Sequence, residues 1–352
     1  MSSESKIQSK FLEACRYNLQ LHDDSRILVF YDNTSENILE IIKPAIEQSH
    51  FKTELFALGT KRPYRTIPEE LKQKTRGVDA VIGFYNYDNH DDWHMSELEF
   101  RMNIIGFMQS LPIGYAHAPG LSVDMLENGS FQCDYKAMAE EAKALLRMLE
   151  GARLIRVTSH RGTDFHLELA SRMRFETDAV IMPPGMETPG KMGNWPPGEV
   201  WIESYENTAQ LDNVPVRINS EGRIVCDICV GGITATVDPK KAITIDVDAD
   251  GWLKSYTSPD PRFIRIKDDW AADAAKWNVQ PYTQELGIGL NDKARIGTGN
   301  LLEDEKAKGT CHVAVGSYRS HTDFLIDRPT IKITYENSST RSIMIDGKLQ
   351  KD

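Results

Sequence analysis

The spacing of apolar residues changes near Gly151, and this change most limits the folds open to the chain. Before Gly151, apolar runs of strand length alternate with segments whose apolar residues have helical spacing. After it, short segments of alternating polarity are separated by Gly, Pro and Asp. The pattern predicts an α/β protein, with an N-terminal wound α/β domain over residues 1–150 and a β-rich α+β domain over residues 151–352.

The first 150 residues predict helices and strands in alternation. The expected elements are helix 7–19, strand 27–31, helix 37–48, strand 51–58, strand 78–87, helix 97–109 and helix 135–149. Gly151 is a plausible cap after the last of these helices. No Gly-rich phosphate loop follows any of these strands, so nucleotide binding would rest on fold analogy alone. We expect this half to cover a cavity and to contribute selectivity.

The second half predicts short strands. They are expected at 154–158, 165–169, 200–203, 214–218, 223–230, 243–247, 313–315 and 331–335. Pro-Pro-Gly segments at 183–185 and 196–198 mark turns between them.

Composition narrows the class of protein. The 41 Lys and Arg residues against 52 Asp and Glu give a net charge of −11, which disfavours nucleic acid as a partner. No apolar run approaches the roughly 18 residues of a membrane span, and the N-terminus is polar without an apolar signal region. We therefore expect a cytoplasmic protein without membrane contact. Five scattered cysteines indicate reduced thiols rather than a disulfide framework.

Two histidines lie in segments that predict strands. His321 and Asp323 are two residues apart, so on a strand both side chains project from one face and could bind one metal ion. A surface His–Asp pair is the alternative. His312 would share a face with Ala314, while Cys311 faces the other side; a core histidine bonded to a carbonyl is the alternative there.

Two glutamates lie beside apolar segments. Glu285 opens the segment Glu-Leu-Gly-Ile-Gly-Leu-Asn, and if it is buried its charge needs a partner, which a metal or an arginine would supply. Glu199 follows Pro196-Pro197-Gly198 at the start of a strand, where an exposed acid at a strand edge is the alternative.

Four segments follow one another along the chain at 194–200, 285–291, 304–316 and 321–323. Together they resemble the motifs of the aminopeptidase T family of metallo-aminopeptidases: Asn-x-Pro-x-Gly-Glu-Val, Glu-Leu-Gly-Ile-Gly-x-Asn, Asp-Glu-Lys-x-x-Gly-Thr-x-His-x-Ala-x-Gly and His-x-Asp. All four occur in order, which is more specific than any one of them. Gly162-Thr163-Asp164 also matches the stretch that opens the family's second domain.

The resemblance implies a hydrolase with two divalent metal ions, Zn, Co or Mn. Their ligands would be Glu199, Glu285, His312, His321 and Asp323, with Glu199 and Glu285 counted among the catalytic groups. A hydroxide generated by the two cations would cleave an amide, foremost an N-terminal peptide bond. The resemblance also implies a homodimer and a small-molecule or short-peptide substrate.

A tyrosine after the His312 motif polarises the substrate carbonyl in the family, which assigns that role to Tyr318. Family members usually carry a longer loop here, whereas this chain has only Ser317-Tyr318-Arg319-Ser320. Arg319 could therefore bind a substrate carboxylate or only cap a tight hairpin. A related non-peptide amide stays open as the substrate.

A second hypothesis comes from a related branch of the same fold, which resembles the Fe(II)-dependent 2,5-dihydroxypyridine dioxygenases. These enzymes open an aromatic ring. That branch keeps the His-x-Asp pair, places a histidine where Glu285 stands and lacks the Glu199 and His312 ligands. His312 could restore a set of two histidines and one carboxylate around one Fe(II). The stretch 162–166 also resembles the dioxygenase segment. A third reading is a binding protein that holds no metal tightly.

Other polar groups have ordinary structural explanations. The segment 88–94, Asp-Asn-His-Asp-Asp-Trp-His, reads as a solvated loop that could at most act as a lid. Cys226 and Cys229 lie three apart in a β-patterned run and so point to opposite faces, which favours a structural role over zinc binding. Cys311 should face away from His312.

Overall fold

A computed structural model describes residues 3–86, 94–169, 173, 175–182, 192–203, 219–231, 235–317 and 320–351. The helices and strands up to residue 149 are α1 (Ser3–Tyr17), β1 (Arg26–Tyr31), α2 (Glu36–Gln48), β2 (Lys52–Ala57), α3 (Glu69–Lys74), β3 (Ala80–Tyr85), α4 (His94–Gln109), β4 (Gly114–Pro119), α5 (Val123–Asn128) and α6 (Tyr135–Leu149). None of the described helices is long and apolar enough to cross a membrane.

The elements after residue 151 are mostly strands. They are β5 (Ala152–Thr158), β6 (Asp164–Glu168), β7 (Glu176–Thr177), β8 (Met192–Asn194), β9 (Glu199–Glu203), β10 (Asn219–Cys226), β11 (Cys229–Val230), β12 (Ala235–Thr236), β13 (Ile243–Val247), β14 (Leu253–Thr257), α7 (Arg265–Trp277), β15 (Tyr282–Gly289), α8 (Leu301–Asp304), β16 (Thr310–Ser317), β17 (Ser320–Asp327), β18 (Thr330–Tyr335), β19 (Thr340–Ile345) and β20 (Lys348–Leu349). The predicted strand 214–218 lies outside the described residues.

The fold class is confirmed: a wound α/β part with a parallel sheet is followed by a β-rich part with antiparallel sheets. By their contacts, residues Met1–Ala139 and Thr177–Gly198 form one compact unit, and Glu140–Glu176 and Glu199–Asp352 form a second. Thr177–Gly198 lies beyond residue 150 yet belongs to the first unit, because β8 pairs with β4. A strand of three residues carries too little periodicity to reveal this pairing from sequence.

The first unit is built on a parallel sheet in the order β2-β1-β3-β4-β8. Strands β3 and β4 are buried at every position, as expected where helices cover both faces of a parallel sheet. Phe30 stacks on Tyr85 and on Tyr115, with ring centroids 5.9 and 6.2 Å apart. These rings anchor the core of this unit.

The second unit contains two sheets. One has the order β14-β13-β10-β6-β5-β18-β19-β20, and its paired strands are antiparallel throughout. In β5, Ile155 and Val157 are buried while Arg156 is exposed, which is the alternation of a sheet with one solvated face. The other sheet has the order β12-β11-β17-β16-β15-β9-β7, and its strands β15 and β16 are buried at every position.

Candidate metal centre

The register of the buried sheet brings five of the proposed site residues to one face. Directly opposed residues on antiparallel strands project to the same side, so the pairing fixes the face of each side chain. The pairs that define this face are Glu285–Ala314, Ala314–Asp323, Gly316–His321, Gly287–His312 and Gly289–Glu199. We call the side chains of Glu199, Glu285, His312, His321 and Asp323 the five-residue cluster.

Small residues on the same face make room for the cluster. A methyl group on Gly287 would overlap the imidazole ring of His312, which lies directly across from it. A methyl group on Gly231 would come within 2.7 Å of the Asp323 carboxylate. Glycine at these positions is therefore part of the geometry of the site, because it lets the ring and the carboxylate lie against the neighbouring backbone.

Glu285 lies between the two histidines. Its Oε1 is 3.0 Å from His312 Nε2, and its Oε2 is 3.8 Å from His321 Nε2. On one side, His312 Nε2 is also 3.7 Å from Glu199 Oε2. On the other side, His321 Nε2 is 3.7 Å from Asp323 Oδ1. Glu285 thus presents one oxygen to each half of the cluster.

The surroundings of Glu285, His312 and Glu199 differ from the structural alternatives left open by the sequence. Glu285 is buried and contacts imidazoles, and His312 is buried against carboxylates rather than against a carbonyl. Glu199 is buried at the start of β9 and is not an exposed edge residue. The His321 side chain is 31% exposed, so the cluster opens to solvent on its side.

The donor set fits divalent cations. Glu199, Glu285 and His312 offer ligand atoms that all lie within 4.8 Å of one another. Neutral imidazole nitrogens and carboxylate oxygens are suitable ligands for Zn²⁺, Mn²⁺ and Fe²⁺. Two buried carboxylates at this separation repel each other unless positive charge lies nearby, and a bound cation would supply part of that charge.

Sequence reasoning gave no role to Lys306. Its side chain is fully buried, and its ammonium donates to Glu199 Oε1 and lies 3.0 Å from Glu305 Oε1. The signal was present in the four successive charged residues 303–306, which lie shortly before the buried strand β16. All four are buried, so none of them is an ordinary solvated charge.

A second group of possible ligands was also missed. His160, Asp227 and Asp327 offer atoms within 4.8 Å of one another. Asp327 N–H donates to Asp227 Oδ1 at 2.9 Å, and Arg161 Nε lies 3.8 Å from Asp227 Oδ2. Burial raises the pKa of the Asp227 carboxyl. His160 is exposed and Asp327 is only partly buried, so this group is less enclosed than the five-residue cluster.

The cysteines behave as the sequence predicts. All five are buried, and none of them forms a disulfide. Burial raises the pKa of Cys226 to about 12 and also raises the pKa of Cys311, so neither thiol is a poised nucleophile. Cys311 neighbours His312 on β16 and faces the opposite side of the sheet.

Some predicted residues lie outside the described part of the chain. Tyr318 and Arg319 follow β16 and are not described, so the role given to Tyr318 stays a prediction. The polar segment 88–93 is likewise not described, and neither is the side chain of His94.

Comparison with known proteins shows the fold. No protein-family model matches the chain, and no curated protein matches it. The structure is similar to that of 2,5-dihydroxypyridine dioxygenase from Pseudomonas putida KT2440, with a TM-score of 0.66 and 13% identity over 99% of this chain and 98% of that chain. It is also similar to wild-type AmpT from Thermus thermophilus, with a TM-score of 0.65 and 12% identity over 98% of this chain and 99% of that chain.

These likenesses show the fold and leave the reaction open. At 12–13% identity they show that the chain shares its fold with a dioxygenase and with AmpT, whose name agrees with the resemblance to aminopeptidase T. The nearly equal TM-scores mean that the fold cannot choose between the two chemistries. The choice depends on the five-residue cluster.

Proposed function

We propose that this chain is a metal-dependent hydrolase of the aminopeptidase T type that cleaves an amide, foremost an N-terminal peptide bond. The observation that carries the proposal is the position of Glu285, whose two oxygens face two different groups of ligand atoms. One carboxylate between two such groups is the arrangement expected of a dinuclear centre. The ligands would be Glu199, Glu285 and His312 on one side and Glu285, His321 and Asp323 on the other.

The chain's own residues have distinct parts in this proposal. When bound, two divalent cations (Zn, Co or Mn) supply an activated water nucleophile and positive charge for the tetrahedral transition state. Glu285 sets the separation of the two ligand groups, and buried Glu199 and His312 exclude water from the inner side. Substrate would approach at partly exposed His321, and Tyr318 would polarise the substrate carbonyl.

Hydrolysis of aminoacyl amides by zinc-, cobalt- or manganese-loaded protein tests this proposal. We expect Glu285→Gln and His321→Ala each to lower turnover by about 100-fold or more, since even changes to groups that only support a ligand can cost up to about 100-fold. His160→Ala, in the second group of possible ligands, is the matched control and should retain activity. Full turnover and metal content in Glu285→Gln would rule out the proposed centre.

An Fe(II)-dependent ring-cleaving dioxygenase is the second candidate. It is favoured by the approach of both His312 and His321 to one carboxylate, Glu285, which is a set of two histidines and one acid. The similarity in fold to 2,5-dihydroxypyridine dioxygenase supports it at the same level as the hydrolase. Oxygen uptake by the Fe(II)-loaded protein with 2,5-dihydroxypyridine, together with no hydrolysis of any aminoacyl amide, would favour this candidate instead.

A further inference from the structure

Lys306 lies at the inner edge of the five-residue cluster with no exposed surface. Its Nζ donates to Glu199 Oε1 and is 3.0 Å from Glu305 Oε1. Removing a lysine ammonium from water is costly, so a buried lysine is kept only where anionic groups compensate for the lost hydration. Here a compensating carboxylate, that of Glu199, is also a proposed metal ligand.

The two oxygens of Glu199 face different groups. Oε1 faces the ammonium of Lys306, while Oε2 faces the imidazole of His312, 3.7 Å from Nε2. A carboxylate held in this way presents Oε2 to a cation beside His312. The ammonium therefore orients Glu199 so that Oε2 faces His312.

We propose that Lys306 is a permanent internal cation of this centre. It orients Glu199 with Oε2 toward His312, and it balances the buried carboxylates when no metal is bound, so that the metal-free protein keeps the site assembled. The inference rests on the proposed metal centre. It adds a positioning and charge-balancing residue that is not itself a metal ligand.

The charges around Lys306 indicate whether its removal destabilises the metal-free or the metal-loaded protein more. Lys306 and a metal cation would both stabilise the Glu199 carboxylate, so each partly replaces the other. Without Lys306, the metal-free protein keeps the buried carboxylates of Glu199 and Glu285 close together but loses the ammonium. A bound cation would compensate for part of the lost positive charge. Removal of Lys306 should therefore harm the metal-free protein more than the metal-loaded one.

The test compares the melting temperatures of metal-free and zinc-loaded protein. We expect zinc to raise the melting temperature of Lys306→Met by several degrees more than that of the wild type. The control is Lys308→Met, because Lys308 lies two residues further on and pairs with Glu141 at a site where its side chain is 37% exposed. This variant should show the wild-type response to zinc. If Lys306→Met lowers the melting temperature equally with and without zinc, Lys306 only contributes packing in the core, and the proposal is overturned.

A double variant keeps the test decisive if Lys306→Met fails to fold. Combining Lys306→Met with Glu199→Gln removes both partners of the ion pair, and a missing pair costs less than one buried charge that has lost its partner. We expect the metal-free double variant to melt above Lys306→Met alone; a double variant that is no more stable contradicts the proposal. If zinc does not shift the wild type, the proposed metal function fails, while this metal-free comparison still tests Lys306.

Discussion

At the scale of single residues, the absence of a side chain matters as much as its presence. Gly287 stands across from His312, and the imidazole occupies the space where a Cβ would lie. The same strand places Glu285 two residues earlier on the same face. The ring can therefore approach Glu285 only because position 287 carries no methyl group.

Gly287→Ala should displace His312 and disturb the centre. We expect it to lower the free energy of unfolding by about 1–3 kcal/mol, as other overpacked core sites do, and to reduce metal content. Gly106→Ala is the matched control, because nothing lies within 4 Å of the added methyl group on α4 and alanine is the better helix former by up to about 1 kcal/mol. Urea unfolding and elemental analysis of both variants check this; a Gly287→Ala protein with wild-type stability and metal content would show that the ring has room to move.

Asp227 offers a test that depends on pH. Burial raises the pKa of its carboxyl in the folded protein, so between the unfolded and folded pKa values the folded state binds the extra proton. Stability contributed by this group therefore falls as pH rises through that window and stays reduced above it. Asp227→Asn keeps an oxygen to accept the Asp327 N–H bond and removes the charge.

We expect Asp227→Asn to gain stability relative to the wild type as pH rises from about 4 to 8, the range above the ordinary carboxyl pKa. Urea unfolding across this range measures the difference. A difference between the two proteins that is constant with pH would show that the carboxyl titrates at its ordinary pKa.

At the scale of elements, a buried carboxylate organises the segment between β15 and α8. Asp304 Oδ1 accepts from the amide and the hydroxyl of Thr298, both at 2.8 Å, and Oδ2 accepts from Gly299 N at 3.0 Å. Asn291 Oδ1 accepts from the amides of Lys293 and Ala294. The segment therefore has fixed backbone partners although it is neither helix nor strand.

Asp304→Asn should loosen this segment. Its amide group would face a backbone N–H where an acceptor is needed, and bonds to charged groups are worth about 1.5–3 kcal/mol each. We expect a clear loss of stability and faster proteolytic cleavage within residues 291–300. Asp292→Asn, at an exposed position of the same segment, is the control. Equal cleavage rates in the two variants would show that Asp304 does not hold the segment.

Local patterns were predictable and distant pairings were not. The face shared by His321 and Asp323 follows from alternation along one strand, and strand 243–247 was predicted with the bounds of β13. The contact between Lys306 and Glu199 joins residues 107 apart, so no local period reveals it. Helix α7 was missed because tertiary packing, not periodicity alone, decides such segments. The position of Glu285 between His312 and His321 likewise depends on the register of the three strands β15, β16 and β17.

At the scale of the whole molecule, surface charge and association are open to test. The net charge of −11 argues against a phosphate-rich partner. The family resemblance proposes a homodimer, so light scattering on the eluted protein should give a mass roughly twice the 39.8 kDa of one chain. A mass of one chain at micromolar concentration would contradict it.

The central claim is that one carboxylate serves two cation positions. Elemental analysis of protein purified without added metal or chelator, and again after loading with zinc, cobalt or manganese, tests it most directly. About two divalent ions per chain are expected for the wild type, with both positions weakened in Glu285→Gln because each loses one ligand. A single iron per chain would favour the dioxygenase, and no metal after loading would favour a binding protein. Two ions retained in Glu285→Gln would contradict the shared role of Glu285.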